Sequence, residues 1–260
     1  MKGFFFACNA YRSAFNLLFS KKFVHFLIFP VILLLVMFYV GNLITNYVGN
    51  SLFDLFKDQL RESLSSFPAL SWLNDVTGWL LMLIVKFIYY ILYVMYSGYI
   101  VMIIMSPVYS ILSEKIESHF TGKQYLFSWS VFFHDVIRGI LISLRNMFLQ
   151  TFLSIILFIL SFIPVVSLMT PFLMLILTSY FYGFSFLDYA IERRCANVKS
   201  SVRFVHSKFW ETIGIGSVFT LALMLPIMNV FVCSFVSLAA VIASTIVVVL
   251  PHISESKKSY

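Results

Sequence analysis

Charge is scarce in this sequence. Asp, Glu, Lys and Arg make up 11% of its 260 residues, against 61% hydrophobic, and mean hydropathy is +0.95. A water-soluble domain needs a much larger polar fraction to cover its surface. That excludes an ordinary soluble globule and puts the chain in a bilayer. Cysteine is sparse too: Cys8, Cys195 and Cys233 are scattered and form no C-x-x-C pair. This argues against a disulfide framework or a cysteine zinc site. No Gly/Ser tract, charge block or internal repeat divides the chain, so residues 1–260 read as one membrane domain.

Catalytic signatures are missing as well. The sequence has no H-E-x-x-H, G-x-S-x-G, P-loop or Gly-rich dinucleotide turn. His119, His134, His206 and His252 lack metal-ligand spacing. Gly214 and Gly216 lack the third glycine of a nucleotide turn, so close helix packing is the reading for them. The expectation is a non-enzymatic protein with no cofactor and no metal. The net charge of +7 reflects membrane topology and not nucleic-acid binding.

What is present is a set of long apolar runs broken by prolines. Two of them, about 23–48 and 79–105, are long enough to cross some 30 Å of hydrocarbon. The first follows Arg12, Asn16, Lys21 and Lys22, a poor fit to a cleaved signal peptide, so the N-terminus is expected to be retained. Ser106-Pro107 and Thr170-Pro171 read as a cap and first-turn proline, each starting a new helix. Two later regions, about 149–187 and 213–250, each look like a pair of helices joined by a Pro-containing turn. Either pair fits two full spans or a re-entrant hairpin, and the short first arms favour partial penetration. Stretches 107–120 and 127–148 carry apolar residues at helical spacing, as amphipathic helices at the interface do, and 51–66 is a third candidate. The fold class is an all-α integral membrane protein.

Charge placement sets the orientation. Segments 1–25, 107–148, 188–212 and 251–260 hold 15 of the 18 Lys and Arg residues. Segment 46–77 holds Lys57 and Arg61 against Asp54, Asp58, Glu62 and Asp75. Both termini therefore face the cytoplasm.

Few polar groups remain, so each is weighed as a site. Lys21, Lys22 and His25 form an anion entry site or an interfacial anchor on lipid headgroups. Lys86 lies inside a span, and Tyr89, Tyr93 and Ser97 continue its stripe. They make a hydroxyl-lined wall for an anion, or a snorkelling lysine among packed tyrosines. His134, Arg138 and Arg145 share one broad helical face. That face binds an oxyanion or lipid phosphate, or is simply solvated, with Asp135 neutralising Arg138. Asp188 sits at membrane depth and needs a cationic partner, with Arg193 the expected one in a structural ion pair.

Several stretches together resemble one family: SPVYSILSEKIESHFTG (106–122), SWSVFFHDVIRGILISLR (128–145), FIPVVSLMTPFLM (162–174), YGFSFLDYAIERR (182–194) and LMLPIMNVF (223–231). In order and spacing they are similar to the CysZ sulfate-permease family, whose domain is shared with the eukaryotic etoposide-induced membrane proteins. The resemblance covers roughly residues 10–250. It implies two long spanning helices, two partly inserted hairpins, homo-oligomeric assembly in a bacterial inner membrane, and sulfate admitted for cysteine synthesis. The family's anion site is a Gly-Leu-Arg-Arg-like stretch before the first span. Aligned on Pro30, its glycine position here holds Lys22, and its paired basic positions hold Val24 and His25. The leading expectation is an inorganic-anion permease. A non-transporting scaffold or lipid-handling protein of the same superfamily is the alternative.

Overall fold

The computed structural model describes residues 2–36, 39–40, 43, 71–126, 128–193, 197–225 and 229–256. Side chains of Lys2, of residues 71–95 other than Leu83, of 229–231 and of 252–256 lie outside the description. The chain divides into two compact units, Met1–Val31 with Gly98–Tyr260, and Ile32–Ser97.

Every regular element described is helical. They are α1 (Lys2–Leu18), α2 (Val24–Val36, opening with a 3-10 turn), α3 (Ser71–Thr121), α4 (Trp129–Leu160), α5 (Pro164–Ile191), α6 (Val198–Ser207), α7 (Phe209–Leu223) and α8 (Asn229–Ser256). Among the described residues, four segments are long and apolar enough to cross a membrane: Tyr96–Thr121, Trp129–Leu160, Pro164–Ile191 and Val232–Pro251. Of the expected span 23–48, residues 23–36, 39–40 and 43 are described and 24–36 form α2, whereas the expected helix 51–66 and the turn at Pro226 lie outside the described residues.

Two expected helix starts are not starts. α3 runs through Pro107, and α5 runs through Pro171. A proline inside a helix loses one backbone hydrogen bond, but the surrounding packing outweighs that loss. Val108, Tyr109, Leu112 and Ile116 are all buried just beyond Pro107. Ser106 does not cap anything: its hydroxyl donates to the Val136 carbonyl at 3.2 Å, on α4. Thr170 donates back to the Val166 carbonyl at 3.0 Å within α5. The true start is Pro164 at the first helical position, after extended Ile163. α3 ends at Gly122, whose φ of 70° is the left-handed conformation of a helix C-terminus.

The stretch 127–148 is not a separate interfacial helix. From Trp129 on it belongs to α4, a continuous helix of 32 residues, about 48 Å long at 1.5 Å per residue. Residues 149–160 of the apparently short arm are the far end of that helix.

In the first unit α5 lies directly on α7. A Cβ on Gly183 would overlap the Thr212 carbonyl, and one on Gly216 the Ser179 carbonyl. Glycine at both positions lets the two backbones touch, as small residues do in membrane helix pairs. α1 joins through its alanine face, with Ala7, Ala10 and Ala14 buried. The Tyr11 hydroxyl donates to the Ile215 carbonyl at 2.6 Å. An aromatic stack of Tyr182, Phe186 and Phe219 fills the α5–α7 seam, with centroids 4.9 to 5.0 Å apart.

Candidate functional site

α4 turns its polar residues inward. Asp135, Arg138, Gly139, Ser143 and Asn146 are buried, whereas Val131, Phe133, Ile137, Leu141 and Phe148 are each more than half exposed. Water would enforce the reverse. A bilayer favours this arrangement, because lipid tails accept the apolar side and only protein can satisfy the polar one.

The inward groups meet the C-terminal end of α5. Arg138 reaches Asp188 at 3.3 Å and donates to the Ser201 hydroxyl at 2.6 Å and to the Glu192 carbonyl at 3.3 Å. Arg193 donates to Glu117 at 3.0 Å, Glu192 at 3.1 Å and the Ser113 hydroxyl at 2.9 Å. The hydroxyl of Ser110 also donates to Glu192, at 3.1 Å, and that of Ser113 to the Tyr189 carbonyl, at 2.7 Å. Asp188 is 1% exposed and Glu192 6%. Charges this dry are sustained only by such direct pairing. Burial first, then the negative charge of Asp135, pushes the Glu192 carboxyl up to about 8, against the pull of Arg193.

This geometry corrects the expected Asp188–Arg193 pair. Residues five apart on a helix point about 140° away from each other. Asp188 therefore turns to Arg138 on α4, while Arg193, beyond the end of α5, turns to α3. Nor is the face of His134, Arg138 and Arg145 uniformly solvated. His134 is exposed and lies 3.3 Å from Asp135. Arg138 is buried, and the Arg145 guanidinium sits 5.6 Å over the Phe184 ring.

Above the ion pairs the polar seam continues. Asn146 donates to the Ser185 hydroxyl at 2.9 Å, and Gln150 donates to Thr178 at 3.3 Å while accepting from Tyr99 at 2.5 Å. Sequence reasoning missed Ser110, Ser113, Glu117 and Ser201. Its available signal was the spacing Ser106, Ser110, Ser113, Glu117, one stripe of an otherwise apolar helix.

Lys21, Lys22 and His25 are exposed at the turn between α1 and α2. The buried rings on either side of His25 dock on α3. Phe23 meets His119 edge-on at 6.0 Å, and Lys115 Nζ lies 5.2 Å over Phe26. Lys115 and His119 are themselves exposed, so tertiary structure adds two basic side chains to the same surface. The side chains of Lys86, Tyr89 and Tyr93 lie outside the description; all three belong to α3, and Ser97 is buried.

Residues 10–234 match the family model described as sulfate transporter CysZ/etoposide-induced protein 2.4. Three curated relatives carry the name sulfate transporter CysZ. One from Pseudomonas fluorescens Pf-5 is 29% identical over 49% of this chain and 52% of its own length. One from Pseudomonas fluorescens Pf0-1 is 26% identical over 84% of each chain. One from Pseudomonas syringae pv. tomato is 28% identical over 55% of this chain and 56% of its own. The chain thus matches about half the length of the first and third relatives. The family match spans residues 10–234, most of the sequence, and the chain belongs to the CysZ/etoposide-induced protein 2.4 family.

Proposed function

We propose that this protein is a membrane permease for an inorganic anion, with sulfate as the substrate, supplying sulfur for assimilation. The observation that carries the reading is the basic surface where α1 turns into α2. Lys21, Lys22 and His25 stand exposed there, beside Lys115 and His119 of α3. Convergent cations attract a dianion and offset part of its lost hydration. The names of the relatives support sulfate. The permease acts as a homo-oligomer in a bacterial inner membrane with both termini cytoplasmic; the distribution of Lys and Arg supports that orientation.

The test is labelled-sulfate uptake into proteoliposomes, with empty liposomes as control and phosphate and chloride as competitors. Saturable entry that unlabelled sulfate suppresses best is the expected result. No entry, from protein shown to be folded and inserted, overturns it and turns attention to a scaffold or lipid-handling role.

A further inference from the structure

Among the described residues, the buried cluster at the end of α5 holds more carboxylates than guanidiniums. It gathers four carboxylates, Glu117, Asp135, Asp188 and Glu192, around two guanidiniums, Arg138 and Arg193. Both arginines are already engaged: Arg138 with Asp188, and Arg193 with Glu117 and Glu192. Two carboxylate oxygens, Asp188 Oδ2 and Glu192 Oε2, are buried and meet no hydrogen-bond donor among the described residues. An ionised carboxylate oxygen sealed from water without a donor is costly. Surplus negative charge in a dry site is relieved by taking up a proton.

We propose that Glu192 is a proton-binding site, carrying an exchangeable proton on Oε2 at neutral pH. The carbonyl-like Oε1 then remains the acceptor for Arg193 at 3.1 Å and Ser110 at 3.1 Å, so protonation breaks no bond of the cluster. The described neighbours come from five helices. α3 gives Ser110, Ser113, Glu117 and the half-exposed Glu114, and α4 gives His134, Asp135 and Arg138. α5 gives Asp188 and Tyr189, α6 gives Ser201, and α8 gives Thr245, which lies 3.2 Å from Ser113. Arg193, stacked 5.6 Å over Tyr125, closes the site. The upward-shifted carboxyl of Glu192 agrees with this geometry. A polar seam leads from the site along α4 and α5 through Ser143, Asn146 and Ser185 to Gln150 and Thr178. It offers hydroxyls and amides for proton exchange. The site stands apart from the sulfate reading and holds whatever the substrate.

The test reads the proton itself. Infrared difference spectra of the full chain in membranes, taken from pH 6 to 10, are expected to show a protonated carboxyl band that is lost as pH rises through about 8. Glu192→Gln is expected to abolish it. Glu192→Gln keeps the shape of the neutral form, so it is expected to fold. Asp135→Asn removes the repelling charge and is expected to keep the band but move its loss to lower pH. Thermal melting without sulfate gives an independent readout. The folded-state carboxyl lies above its usual value of 4.5, so its stabilisation is full below about 4.5 and is lost as pH rises to about 8. Glu192→Gln flattens that fall. A band absent from the wild type, a band surviving in Glu192→Gln, or a midpoint unmoved in Asp135→Asn overturns the assignment.

Discussion

The hairpin of α4 and α5 is built on one rule at its tip and another at its base. Residues 147–187 contain no Asp, Glu, Lys, Arg or His. Phe152, Phe158, Phe162, Leu168 and Phe172 around the tip are all more than half exposed. The few hydroxyls there turn back on their own helix: Ser161 donates to the Phe158 carbonyl and Ser167 to the Pro164 carbonyl. The base reverses this. Arg138, Asp188 and Glu192 are buried while apolar Ile137 and Leu141 face out. The tip is uniform and interchangeable, as lipid contact permits. The base is specific, because each buried charge depends on a small set of named partners. Specific pairing is therefore concentrated at the base, and the tip offers apolar surface and length.

The largest effect should come from removing a charge at the base. Arg138→Ala strands Asp188 and is expected to cost about 3–5 kcal/mol, read as a steep loss of folded protein and melting temperature in detergent. The mirror experiment adds a charge to the tip. Phe158→Arg should cost about 2.5–3.5 kcal/mol of insertion if that end sits in hydrocarbon, measured by membrane integration. If it integrates normally, the tip is not in the lipid core. Gly216→Ala probes the packing beside the base. Its methyl would overlap the Ser179 carbonyl, and overpacking of about 1–3 kcal/mol is expected as a lowered melting temperature. Arg145→Ala is the mildest. One heptad from Arg138, it rests on the Phe184 ring, and about 0.5–2 kcal/mol is expected. Equal losses at Arg138 and Arg145 would break the comparison between a paired and a stacked arginine.

Much of this plan was legible in the sequence, and the unread parts share one cause. Composition and run lengths gave an all-helical membrane chain, and the ordered motifs gave the family. Helical spacing put His134, Arg138 and Arg145 on one face, but periodicity does not say whether a polar face looks to water or to protein. In a bilayer the second solution wins, so Arg138 went inward. The partner of Asp188 was misread because the natural candidate, Arg193, lies close in sequence, while Arg138 lies 50 residues away. Pro107 and Pro171 looked like helix starts because proline cost is local and legible, whereas the packing that carries a helix across it is tertiary. The join of 127–148 to 149–163 was hidden for a related reason. The polarity of α4 changes halfway along, but its backbone does not.

The measurement that bears most directly on function is sulfate uptake by wild-type protein beside Lys21→Ala/Lys22→Ala/His25→Ala. All three side chains are exposed, so the variant should fold and insert. The account predicts a half-saturation concentration raised several-fold, with the maximal rate largely kept. Uptake curves that superimpose would contradict it, because the basic surface would then have no part in receiving the anion.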